Sequence, residues 1–185
     1  MEDLLRQKIE MFLRPQYLDL DGGTRFEDVQ RIGRIARRLT PPTRDLELLI
    51  LFHGLGTWLE KIGNLSRAVL TLSDALTEVE LRRTSASIRR LDSPVTDSER
   101  AVAAAIIIDK AGVRGIAERL ARSRREGVTP ADVARASLLP MEVPAWLPLQ
   151  AVLWINERQR MRQEMCQRIL DEATLEDLGD SVVSG

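Results

Sequence analysis

Few residues in this sequence are equipped for chemistry. There is one histidine, His53, and one cysteine, Cys166. A lone cysteine excludes an intramolecular disulfide and leaves a cysteine-based zinc site without its ligands. A lone imidazole excludes every metal site built on two histidines, the His-Glu-x-x-His type included. What remains for a metal is His53 with carboxylates, a set that could hold a divalent ion only weakly and through water. Ser66 or Ser73 could in principle pair with His53 for acyl transfer, but no nucleophile elbow precedes either serine. Gly112 and Gly115 are too closely spaced for a phosphate-binding fingerprint and follow no strand, so they read as a turn between helices. Glu99, Glu118 and Glu157 are not tied by spacing into an acid–base pair and suit caps or surface positions. Cys166 stands between Met165 and Gln167 in helical surroundings and reads as a neutral packing thiol.

The elements that must position these groups are helical throughout, because strand-type alternation is absent and 3.6-residue periodicity recurs. A first helix is expected over 2–13, stopped by Pro15, with a turn at Asp21-Gly22-Gly23. Phe26, Val29, Ile32, Gly33, Ala36 and Leu39 line one face of the next. Thr40-Pro41-Pro42-Thr43 breaks it, and Thr43 suits an N-cap. Leu46 and Leu48 to Phe52 are apolar all round, so this helix should lie at the centre and end at His53-Gly54-Leu55-Gly56. Asn64 is expected to cap a helix reaching to Val79, with a shorter one after it over about 80–91. Thr96 and Glu99 have capping-box spacing ahead of the apolar run Ala101 to Asp109. Another helix is expected around Ile116–Arg124, and a further one starts at Thr129 with Pro130 at its first position. Pro140, Pro144 and Pro148 make 139–148 an extended connection to a long last helix ending near Ala173. The expected architecture is an all-α, single-domain bundle over 1–178, with residues 179–185 as a disordered tail.

The order of these segments resembles the HD superfamily, in particular the small stand-alone bacterial HD phosphohydrolases. Phe26-Glu27-Asp28-Val29-Gln30-Arg31-Ile32 looks like the family's first-helix segment, where a metal-binding His precedes Val. Leu49-Ile50-Leu51-Phe52-His53-Gly54-Leu55-Gly56 looks like its Leu-Leu-His-Asp-Ile-Gly motif. Asp109-Lys110-Ala111-Gly112-Val113-Arg114-Gly115-Ile116-Ala117 looks like the end of its distal Asp motif. Asn156-Glu157-Arg158-Gln159 looks like its terminal Glu-Arg-His motif. The similarity spans roughly 24–172, and its specificity lies in order and spacing. It implies an HD-like helical fold.

It also implies which ligands are missing. Asp28 stands in place of the first metal His, Gly54 in place of the Asp paired with His53, and Ala104 and Ile106 in place of the first two distal Asp residues. Only Asp109 persists, at the third, so the resemblance leaves Asp28, His53 and Asp109 as weak metal candidates. An HD hydrolase needs its ion to acidify a bound water and neutralise a phosphoryl group. The expectation is therefore a degenerate, HD-like pseudoenzyme with no catalytic residues, metal or cofactor, whose relic site is Asp28, His53, Gly54 and Asp109. It would serve as a regulatory, scaffolding or subunit-type binding module for a protein partner or a second copy. Three alternatives stay open: an HD phosphohydrolase using Mn, Mg or Fe at an atypical site on a nucleotide or phosphomonoester; a nucleotide- or nucleic-acid-binding module; and a helical adaptor whose resemblance is accidental.

The second alternative rests on arginines grouped at 31–38, 82–90, 119–125 and 158–168. Interspersed acids and a 4% aromatic content argue against nucleic acid. The net charge of -1 supplies no global field toward nucleic acid or membrane. No apolar run has the length of a membrane span or the form of a signal peptide, so a cytoplasmic protein is expected. Trp146, among the prolines, and Trp154, on the last helix, are the candidate interface anchors.

Overall fold

The computed structural model describes residues 3–18 and 25–183, leaving aside the side chains of 3, 18, 125 and 175–183. It is all-α, with no strand among the described residues. The helices are α1 (Asp3–Leu18), α2 (Phe26–Leu39), α3 (Arg44–Phe52), α4 (Gly56–Glu60), α5 (Asn64–Thr71), α6 (Glu78–Arg89), α7 (Asp97–Ala111), α8 (Val113–Glu126), α9 (Pro130–Ser137) and α10 (Leu149–Val183). Among the described residues no helix is long and apolar enough to cross a membrane. The chain groups into two compact units, Met1–Ile106 and Ile107–Gly185. The division falls inside α7, so no linker composition marks it.

In the first unit α3 is the central element. Every residue from Leu46 to Phe52 is buried, and α3 packs against both α2 and α6. Its start is fixed by Thr43, whose Oγ1 accepts from the Leu46 amide at 3.1 Å. Within α3 a charged side chain also enters this core. Glu47 is 6% exposed and receives Arg37 of α2 through two bonds of 2.6 Å, with Arg6 of α1 at 3.3 Å. Burial pushes the Glu47 carboxyl up, but the Arg37 fork and Arg6 outweigh it and leave its pKa lowered. Three helices are thereby pinned at one carboxylate.

Two expectations for this unit need correction. Pro15 does not stop α1, which continues to Leu18 with the proline inside it. The bond that Pro15 cannot donate is offset by the anchoring of Tyr17, which is buried and donates its hydroxyl to the Leu51 carbonyl at 2.7 Å. The helix from Asn64 does not reach Val79 either. It ends at Thr71, and α6 begins after Thr77, whose Oγ1 accepts from the Glu80 amide while Glu80 accepts from the Thr77 amide. Asn64 is not the cap; its side-chain amide donates to the Trp58 carbonyl at 2.9 Å. The turn expected at Asp21-Gly22-Gly23 lies outside the described residues.

In the second unit α8, α9 and α10 pack on one another around Ile116, Ala134 and Cys166, with Leu120, Leu138, Met165, Ile169 and Leu170 closing over them. Gly115 sits where α8 starts, because a Cβ there would lie 2.1 Å from the Lys110 carbonyl oxygen. Gly127 ends α8 with φ of 71°, the left-handed conformation that favours glycine. Thr129 caps α9 through the Asp132 amide at 3.2 Å. The last helix runs past Ala173 to Val183. The tail expected over 179–185 falls where side chains, and at 184–185 the whole placement, lie outside the described residues.

Candidate functional site

The residues marked out by their chemistry are held by the helices that carry them. Asp28 is buried one turn into α2. Its Oδ2 accepts from the Arg25 amide at 2.9 Å and its Oδ1 from Arg31 Nη2 at 2.9 Å. A carboxylate at this position satisfies an end amide of the helix and complements the positive end of its dipole. His53 is 8% exposed and begins a short 3-10 turn, His53–Leu55, directly after α3. Its Nδ1 donates to the Ile50 carbonyl at 2.7 Å, which places the ring proton on Nδ1.

The turn at Gly54 is occupied by a residue that the sequence did not point to. Tyr17, the only tyrosine, comes in from α1 and donates to Leu51, two residues before His53. Burial drives its phenol far above the usual value, and the neighbouring Gly54 amide only partly opposes this. The phenol is thus a neutral donor. Its ring lies edge-on to Phe26, centroids 5.9 Å apart, two residues ahead of Asp28. The signal for Tyr17 in the sequence was hidden by reading Pro15 as the end of its helix.

Asp109 is 5% exposed and lies near the end of α7, in the second unit. Ala104 is fully buried in the same helix. Among the described residues no three of His, Cys, Asp and Glu are grouped so that they could hold a metal ion. The segments that resemble the distal and terminal motifs do come together. Gly112 with Val113 and Arg114, and Glu157 with Arg158 and Met161, line one open depression of about 420 Å³ on the second unit. Arg158 donates to the Ile108 carbonyl at 3.4 Å and packs over Gly112. Cys166 is fully enclosed, and burial pushes its thiol up, so it is a neutral packing group.

The arginine clusters differ in how their charge is met. Around α6, Arg82 meets Glu78 at 2.6 Å, Arg83 meets Asp45 at 3.5 Å, Arg89 meets Glu60 at 3.0 Å and Arg90 meets Glu99 at 2.5 Å. Arg83 and Arg90 line a cavity of about 180 Å³ with Ser87, Thr96 and Ser98, but each already has a carboxylate beside it. Arg31 and Arg37 on α2 are likewise paired, with Asp28 and Glu47. Trp146 and Trp154 are half-buried, and Leu139, Leu149 and Leu153, near them along the chain, are exposed at 69%, 75% and 59%.

No protein-family model matches this sequence, and no curated protein matches it. The functional reading therefore rests on the residues themselves.

Proposed function

We propose that this chain is a cytoplasmic, catalytically silent relative of the HD phosphohydrolases, a helical module that binds protein instead of hydrolysing phosphate esters. The observation that carries the reading is the packing at His53–Gly54. A hydrolase of that type would need a charged, water-accessible cluster at this turn. Here a buried, neutral Tyr17 phenol is seated beside Gly54, His53 is turned onto the Ile50 carbonyl, and Asp28 is engaged as a helix-end carboxylate with Arg31. Side chains in these roles hold helices in place.

The work of such a module falls to its surface. Leu139, Leu149 and Leu153 present apolar side chains to solvent on the stretch of chain that also carries two half-buried tryptophans. Exposed leucines on a stretch that also carries large aromatics suit a protein interface. The first partner to test is a second copy, because a self-complementary patch closes into a dimer about a two-fold axis.

The enzymatic half of the reading is tested by metal analysis of protein purified without chelator, joined to a phosphatase screen with Mn²⁺, Mg²⁺ or Fe²⁺. The expected result is substoichiometric metal and no turnover. Stoichiometric metal, with hydrolysis that disappears in His53→Ala, would replace this reading with a phosphohydrolase of atypical ligation.

A further inference from the structure

The second unit contains a buried guanidinium that no described carboxylate neutralises. Arg162, on α10, is 3% exposed. Its Nη2 donates to the Leu139 carbonyl at 2.9 Å. Its Nε is sealed from solvent and meets no acceptor. One turn earlier on the same helix face, Gln159 Nε2 is also sealed and also meets no acceptor. A cation whose charge bears on it is Arg119 of α8, which donates to Ser137 Oγ of α9 at 3.3 Å. Burial, and then the charge of Arg119, hold Arg162 below the ordinary arginine value. The neighbouring Cys166 thiol is itself pushed up by burial and brings no full negative charge.

This arrangement is unbalanced in a specific way. An arginine keeps its proton in a protein, so it cannot escape burial by becoming neutral as a lysine would. A buried charge without a counter-charge is strongly destabilising, and each sealed donor without an acceptor adds to that cost. Every atom left wanting here is a donor. Water could accept from them but would leave the charge in place. A small oxyanion supplies both the acceptors and the negative charge.

We propose that Arg162, Arg119 and Gln159, with the Ser137 hydroxyl, form an oxyanion site of the phosphate class between α8, α9 and α10. Arg162 is the inner cation, fixed by packing. Arg119 is exposed and is the outer one, so an ion reaches Arg162 by replacing the Arg119–Ser137 contact. A phosphate oxygen can then take Arg162 Nε and Gln159 Nε2 while the Arg119 fork closes over it. None of these residues belongs to the His53 turn, so this site stands or falls independently of the proposed function.

The test is thermal unfolding of the full chain titrated with inorganic phosphate, against sodium chloride at equal ionic strength. The expected result is a saturable rise in Tm with phosphate that chloride does not reproduce. Arg119→Gln should weaken the apparent affinity roughly tenfold or more, the cost of a charge-assisted hydrogen bond. Arg162→Met removes the buried charge at similar volume. It should leave Tm in chloride at or above that of the unaltered chain and abolish the response to phosphate. Should that variant fail to fold, Arg119→Gln, altered at the surface, carries the test alone. Phenyl phosphate acting as well as inorganic phosphate would assign the site to phosphomonoesters, and inorganic phosphate acting alone would assign it to the free ion. The proposal is overturned if phosphate does no more than chloride, if Arg119→Gln titrates like the unaltered chain, or if acetate matches phosphate.

Discussion

Glu99 is the most completely buried acid described, with 0% of its surface exposed. Burial pushes its carboxyl up, but Arg90 and the amides of Val95 and Thr96 outweigh that and hold it at about 2. Its folded value lies below its ordinary 4.5, so the stability it contributes is complete above that pH and is lost as pH falls from there to about 2. Glu80, held at about 2 chiefly by Arg44, loses its contribution over the same window. Glu99→Gln is expected to lower stability at neutral pH by on the order of 2 kcal/mol and to flatten, without removing, the fall below pH 4.5. Urea midpoints measured across that range check this; an acid limb as steep as the original would refute the assignment to Glu99. Tyr17 gives a second residue-level prediction with the opposite sign. Its folded value is raised, so stability is full below its ordinary 10.0 and falls as pH rises above it. With a single tyrosine, tyrosinate absorbance should appear together with loss of helical circular dichroism and not before it. Tyr17→Phe should cost about 1 kcal/mol at neutral pH through the stranded Leu51 carbonyl. At this scale the sequence disclosed which residue types were present and what they excluded. It did not disclose the role a side chain takes once its partners are fixed: Asp28 stands out in the sequence as a relic metal-site position, whereas its bonds to the Arg25 amide and to Arg31 make it a helix-end group.

At the scale of elements, local chemistry was legible where one short segment contains the whole device. Thr43, Thr96 and Thr129 cap helices as their sequences indicate, since donor and acceptor lie three residues apart. Misreadings arose where a distant contact decided the outcome. The periodicity from Leu65 to Val79 is continuous in sequence, yet the chain turns after Thr71, because Ala75 and Leu76 are buried while Thr77 and Glu80 start a new helix. Pro15 by itself signals a stop, and the contact that overrides it, Tyr17 to the Leu51 carbonyl, spans 34 residues of chain. The junction of α7 and α8 offers a sharp test. A methyl group at Gly115 would overlap the Lys110 carbonyl oxygen, which is backbone and cannot swing aside. Gly115→Ala should therefore destabilise by about 2 kcal/mol or more, although alanine is the better helix former. Gly127→Ala, strained by its φ of 71° but in open space, should cost only about 1 kcal/mol. Thermal unfolding of the pair reads the difference, and equal losses would mean that the α8 start relaxes around the added carbon.

For the whole molecule, charge offers little to recognise. The net charge is -1, and the arginines around α6 have carboxylates beside them, so no long-range field steers a polyanion to that face. Shape and apolar surface have to do more. Leu149 and Leu153 are one turn apart on the exposed side of α10, and Leu139 precedes them on the connection that also carries half-buried Trp146. Their exposure leaves apolar area in water that association would remove, at about 25 cal/mol per Å² before the cost of lost freedom. If a second copy covers this patch, light scattering at tens of micromolar should give about twice the 20.9 kDa of one chain. Leu149→Glu with Leu153→Glu should return the mass to that of a single chain without lowering the unimolecular unfolding temperature, since both side chains already face solvent. Charges placed at the centre of a self-complementary interface meet their own copies across the axis, which makes the pair of substitutions more disruptive than loss of apolar area alone. A single-chain mass for the unaltered protein at these concentrations would remove self-association and leave a different protein as the occupant of the patch. A dimer that survives both substitutions would place the interface elsewhere on the molecule.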